Sequence, residues 1–191
     1  IPGAQNLEDR CKGISDGITK AGGKSTQLPL PSTAFGNATA VAEAIKAELL
    51  KDATIDGVIT ISAGDADSAA IGIQQADKIK TVALGSFDMN EAGLTRIKDG
   101  TQAFAIDQQP YLQGYLAVSL LQAHIDFGNT LPTFPVLTGP GIVDSSNIEP
   151  TLKGVAAGPR SLSCNLVGPR KILLGGASSR SAIFPLRGLT G

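Results

Sequence analysis

The chain has 191 residues, 42% hydrophobic and 17% charged, with a formal net charge of −1. That length bounds it to one folded domain, or one and part of another. No apolar run is long enough to span a bilayer, which argues against an integral membrane protein. A single histidine and two cysteines, Cys11 and Cys164, argue against a protein zinc site and allow at most one disulfide.

The charge is unevenly spread. All 17 acidic residues lie at or before Glu149, with ten of the 16 basic ones, so residues 1–149 carry −7 and the remainder +6. An acidic body argues against nucleic-acid binding. The chain begins at Ile1 with no initiator Met and no signal peptide, and something upstream is expected to be missing.

Asn6 can cap a first helix, with Asp9 at the capping-box position and Leu7, Cys11, Ile14 and Ile18 on one face. Gly22 and Gly23 stop it. Residues 26–30 read as a short edge strand flanked by prolines. A loop over 32–37 holds Phe35, and Asn37 can cap a helix burying Val41, Ile45 and Leu49. The β-branched run 58–61 has the character of a central parallel strand. A polar loop over 62–67 and a helix over 68–76 follow. The next buried strand, 81–84, breaks at Gly85. Asn90 caps a short helix to Ile97, and Asp99-Gly100 turns the chain into a strand over 102–106.

That last strand ends on Asp107-Gln108-Gln109-Pro110, and Pro110 suits the first turn of a long helix. This helix is expected to bury Leu112, Leu116 or Val118, Leu120 and Leu121. In open α/β sheets ligands bind at the carboxyl ends of strands. Carboxylate and amide groups there offer acceptors and donors for a hydroxyl-rich solute, the alternative being a solvated turn. Strands alternating with helices over units of roughly 30 residues imply an α/β fold, a parallel sheet with helices on both faces. Beyond Pro150 acidic residues vanish and Gly, Pro, Ser and Arg dominate, so residues 150–191 are expected to be a poorly ordered basic tail outside the packed domain.

Four blocks occur in order: Asn6-Leu7-Glu8-Asp9-Arg10-Cys11-Lys12-Gly13, Gly85-Ser86-Phe87-Asp88, Ala105-Ile106-Asp107-Gln108-Gln109-Pro110-Tyr111-Leu112-Gln113-Gly114-Tyr115, and Leu137-Thr138-Gly139-Pro140-Gly141-Ile142-Val143-Asp144-Ser145-Ser146-Asn147. Together they resemble the type I periplasmic sugar-binding proteins of ABC transporters, the ribose-binding-like group. The resemblance covers residues 1 to about 149. It implies the second of two α/β lobes that close on a sugar at a hinge, with the N-terminal lobe absent. A frameshift, readthrough or chimeric junction near Pro150 would explain the change of composition.

The resemblance also implies roles. Asp88, closing the Gly-x-Phe-Asp turn, would accept hydrogen bonds from sugar hydroxyls, or else answer a helix dipole. Gln108 would contact the sugar from the hinge strand, and Asp107 would bond the crossover backbone. Phe35 would stack on the sugar ring, or plug the core. The family's ligand-binding arginine aligns with Glu8, with Arg10 two residues on, either a replacement or a surface charge. Asp65 and Asp67 are both candidates for the loop after the first strand, and either could equally cap a helix.

Other constellations point elsewhere only weakly. Neither Rossmann glycine spacing nor a Walker sequence is present. His124 lies deep in a helix pattern, far from any strained serine elbow. The carboxylate pairs Asp65/Asp67 and Asp88/Asp107 could suggest glycoside hydrolysis, but they suit sugar binding equally. The expectation is a periplasmic, non-enzymatic substrate-binding component that needs no cofactor, with a sugar or polyol and an ABC permease as partners. The alternative is the ligand-sensing domain of a LacI-type transcriptional regulator or sensor receptor.

Overall fold

The computed structural model describes residues 3–157. In chain order the elements are α1 (Gln5–Lys20), a 3-10 turn (Ser32–Ala34), α2 (Ala38–Lys51), β1 (Gly57–Thr60), α3 (Ala63–Gln75), β2 (Ala83–Phe87), α4 (Glu91–Lys98), β3 (Phe104–Asp107), α5 (Pro110–Phe127), β4 (Gly141–Asp144) and α6 (Ile148–Ala156). The four strands form one sheet in the order β1-β2-β3-β4. The first three are parallel, and β4 returns antiparallel to β3. The fold is α/β with a mostly parallel sheet, as the alternating pattern of the sequence requires.

Register and the two-residue alternation of strands assign the faces. Val58 pairs with Leu84, Ser86 with Ala105, and Ala105 with Val143, so these residues share one side. That side carries both apolar clusters. One joins Val41, Ile45 and Leu49 of α2 with Ala69 and Ile73 of α3 and Leu84; the other joins Leu94, Ile97, Ala105, Val143 and Ile148. Gly72 lets α2 and α3 lie close, since a Cβ there would stand 2.6 Å from the Ala42 carbonyl oxygen. The opposite side presents Phe87, Phe104, Ile106 and Ile142, with Ile142 still 51% exposed. α1 reaches that side through Arg10, whose guanidinium lies 4.9 Å from the Phe87 ring centroid.

Several elements differ from the sequence expectation, each for a local reason. Residues 26–30 form no strand; Pro29 and Pro31 remove backbone donors, and Leu28 and Leu30 pack on the first cluster instead. α3 starts at Ala63, because Ser62 caps it by accepting the Asp65 N–H at 3.1 Å. β2 runs on through Gly85, where the Phe104 ring occupies the space a side chain would need. α1 starts at Gln5 without a side-chain cap. The boundary expected at residue 149 falls inside α6, where Pro150 sits in the first turn and Thr151 is buried. Residues 158–191, the rest of the expected tail, and Cys164 with them, lie outside the described residues.

α5 departs most. None of its residues is buried. Leu112, Leu116 and Leu120 are half-buried, whereas Val118 (66% exposed) and Leu121 face solvent. Pro110 does occupy the first turn, and Gly128 in the left-handed conformation ends the helix. His124 is exposed in the last turn, its Nδ1 2.7 Å from the Asn129 carbonyl.

Candidate ligand site at the carboxyl ends of the strands

Three parallel strands end on the same rim, and three polar side chains from three elements converge there. Arg10 projects from α1, Asp88 follows β2, and Gln108 follows β3. Arg10 Nη1 donates to the Ile61 carbonyl at 2.6 Å and to Asp88 Oδ2 at 3.2 Å. The Gln108 amide donates to the other carboxylate oxygen, Asp88 Oδ1. Asp88 therefore has a donor on each oxygen, one of them charged.

Burial makes this ion pair more than a surface contact. The Arg10 side chain is only 14% exposed and that of Asp88 36%. Exposed pairs contribute little because water screens them, while the stacking of a guanidinium on an aromatic face adds about 0.5–2 kcal/mol as it is desolvated. Phe87, Ile61 and Asp88 together fix the plane of the guanidinium. Its remaining N–H groups are free of these contacts and can donate to hydroxyl or carbonyl oxygens.

The rim is held from behind by the chain crossing after β3. Asp107, buried, accepts the Gln109 N–H at 2.7 Å, which matches its expected backbone role. Gln109 sits at φ 56°, and its amide donates to the Thr138 carbonyl. Thr138 Oγ1 donates to the Gln108 carbonyl at 3.0 Å, and Gln113 Nε2 to the same oxygen at 2.9 Å. The segments on either side of α5 are thus pinned together beside Gln108. A groove of about 770 Å³ opens between Phe87, Ile106, Leu116, Leu120 and the segment holding Phe134 and Leu137.

The hydrogen bonds joining Arg10, Asp88 and Gln108 do not include the other candidates. Glu8 is exposed in the first turn of α1. Phe35 follows the 3-10 turn and is 42% exposed. Asp65 closes the N-terminal cap of α3, accepting from Ser62 Oγ at 2.8 Å. Both oxygens of Asp67 are taken, by Arg96 Nη2 at 2.7 Å and Asn90 Nδ2 at 2.7 Å. Sequence reasoning missed Phe87 as the platform for Arg10, and, beyond reading Asn90 as a helix cap, it missed the side-chain bonds that Asn90, Arg96, Gln102 and Ser86 make. The polar Gln102 just before an apolar strand was the available signal. Among the described residues no group of three or more His, Cys, Asp or Glu could hold a metal ion.

Comparison with known proteins gives the family and the fold. Residues 1–130 match the family described as periplasmic binding protein domain. The xylose/arabinose-binding protein XylF of Sulfolobus acidocaldarius is 28% identical over 157 residues, covering 79% of this chain and 38% of that protein. A carbohydrate transporter from Acidothermus cellulolyticus, solved in complex with myo-inositol, superposes with a TM-score of 0.72 at 34% identity, over 84% of this chain and 54% of its own. The arabinose-binding protein AraP of Geobacillus stearothermophilus shares the fold, with a TM-score of 0.66 at 23% identity over 78% of this chain and 53% of that one. The chain thus spans between 38% and 54% of the length of these relatives. On the match over residues 1–130 and the sheet that carries it, the chain belongs to the periplasmic binding protein domain family.

Proposed function

We propose that this chain is the second-lobe part of a solute-binding protein that captures a sugar or polyol and delivers it to an ABC permease on the periplasmic or extracellular side. The observation that carries the proposal is the convergence of Arg10, Asp88 and Gln108 at the carboxyl ends of β1, β2 and β3. A fixed cation, a carboxylate and an amide alternate donors with acceptors over a short rim. That pattern suits adjacent hydroxyls, each of which donates once and accepts twice. Binding then needs no bond breaking, and the carboxylates serve as acceptors rather than as an acid and a base.

The ligands for which the relatives are named, xylose, arabinose and myo-inositol, supply the probe set. Affinity would rise as a first lobe closes over the rim and removes water from it. Such a lobe, corresponding to the length of the relatives that this chain does not span, would cover the exposed apolar face of α5 and the groove beside it. Among the described residues no helix is long and apolar enough to cross a membrane.

The test is thermal unfolding of the chain with each of the three probes. A ligand at about 100 times its Kd adds about 2.7 kcal/mol, or roughly 5–10 °C for a domain of this size. The expected result is a rise with one probe that disappears in Asp88→Ala. A rise that survives Asp88→Ala would move the site elsewhere.

A further inference from the structure

Behind the rim lies a closed polar ring that the ligand function does not use. Asp67 Oδ1 accepts from Arg96 Nη2 at 2.7 Å, and Arg96 Nε donates to Gln102 Oε1 at 3.1 Å. Gln102, 2% exposed, donates through Nε2 to Ser86 Oγ at 2.9 Å and to the Phe104 carbonyl at 3.0 Å. Ser86 Oγ donates to the Asp88 carbonyl at 3.3 Å. The chain then runs through Met89 to Asn90, whose Nδ2 donates back to Asp67 Oδ2 at 2.7 Å. The ring ties α3, α4, β2 and β3 to the turn that presents Asp88.

The ring has a fixed polarity, and donor chemistry sets it. Arginine can only donate, so the Gln102 amide must turn its oxygen toward Arg96 and its NH2 toward Ser86 and Phe104. The Ser86 hydroxyl accepts from that NH2, which leaves its one proton for the Asp88 carbonyl. Asp88 itself stands at φ 63°, in the left-handed region that a non-glycine residue seldom adopts. Its N–H donates to the Ile106 carbonyl at 2.9 Å, so both backbone polar groups of Asp88 are held from behind. Gly93 completes the enclosure, because a Cβ there would stand 3.1 Å from Asn90 Oδ1 and 3.7 Å from Gln102 Oε1.

We propose that Ser86 and Gln102, oriented by the Arg96–Asp67 pair, are positioning residues that lock Asp88 in its left-handed conformation and so aim its carboxylate at Arg10 and Gln108. Asp67 is then an anchor of this ring, not a member of the ligand shell. The proposal rests on Asp88 being a ligand acceptor, yet its mechanism is visible without a ligand. Gln102→Glu keeps the size of the side chain but removes the donor, so the Ser86 hydroxyl turns to the new carboxylate and abandons Asp88. Ser86→Ala removes the bond directly.

The experiment is NMR of the ligand-free chain. The one-bond Cα–Hα coupling of Asp88 reports the sign of φ, and exchange of the Gln108 side-chain amide reports its bond to Asp88. In Ser86→Ala and Gln102→Glu, shown folded by circular dichroism, the coupling is expected to leave the positive-φ range. Exchange at Gln108 should quicken by about tenfold, the equivalent of one net hydrogen bond. Leu94→Ala, which truncates the second apolar cluster outside the ring, should leave both signals in place while lowering the melting point. Retention of both signals in either folded ring variant, or equal disturbance by Leu94→Ala, would overturn the proposal. No sugar enters the experiment, so its failure is separate from a failure of the chain to bind one.

Discussion

Arg10 and Asp88 stand 78 positions apart in the chain and 3.2 Å apart in space. The pair does two things at once. It closes the polar rim at the strand ends, and it ties α1, which has no buried residue, to the end of β2. Arg10→Ala should therefore loosen α1 as well as weaken binding. Amides of Gln5–Lys20 are expected to exchange faster in hydrogen exchange, with the amides of α2 and α3 unchanged.

Arg10→Lys separates charge from geometry. A lysine keeps the charge but cannot serve the Ile61 carbonyl and Asp88 while lying flat on Phe87. Losing one charged hydrogen bond corresponds to about 1.5–3 kcal/mol, or roughly 10- to 150-fold in Kd. Titration calorimetry with the best of the three probes should show that loss; an unchanged Kd would make Arg10 a structural tether alone.

Two glycines are seats for neighbours rather than breaks. Gly72→Ala would press a methyl on the Ala42 carbonyl, and Gly85→Ala would press one on the Phe104 ring at 2.4 Å. Each is expected to destabilise the chain by about 1–3 kcal/mol, as overpacking does. Urea unfolding should show a lower midpoint with the slope unchanged.

The exposed face of α5 should make the isolated chain self-associate. Val118→Asp and Leu121→Glu are expected to reduce association in sedimentation velocity. Because both side chains are exposed, stability should shift by no more than about 0.5 kcal/mol. Association that persists in the double variant would place the sticky surface elsewhere.

Acid should loosen the turn before α6. Hydrogen bonds from the Ser146 hydroxyl and backbone N–H hold the Asp144 carboxyl below its ordinary value of 3.8. A carboxylate lowered in the folded state stabilises it above the unfolded value, and that contribution is lost as pH falls through the folded value. The loss should thus appear below pH 3.8. Carbon-13 titration of Asp144 should show a low midpoint that moves up in Ser146→Ala.

Much of this was readable from the chain. The caps Asn37 and Asn90, the proline start of α5 and the alternation of strands with helices are local, and local chemistry is what sequence patterns record. Asp88 and Gln108 were legible as candidates through the blocks that contain them. Arg10 was harder: its place beside Asp88 depends on how α1 lies over the sheet, which no spacing within α1 encodes. Gly85 looked like a break because its role is set by Phe104 on the next strand. The strand over 26–30 failed for the converse reason, since a strand needs a partner and Pro29, with Pro31 just beyond, could not supply the donors. The ring through Gln102 was hidden because its six members are scattered from Asp67 to Gln102 and meet only after α3, α4, β2 and β3 have packed.

The most direct test of the ligand site is an NMR titration of the chain with millimolar myo-inositol, xylose and arabinose. It follows the Gln108 side-chain amide and the Arg10 guanidinium protons, and it detects weak binding. One of the three should shift these two signals together and saturate, with both responses lost in Asp88→Ala. Shifts that saturate at other residues, with Gln108 and Arg10 unmoved, would contradict a sugar site built on Asp88.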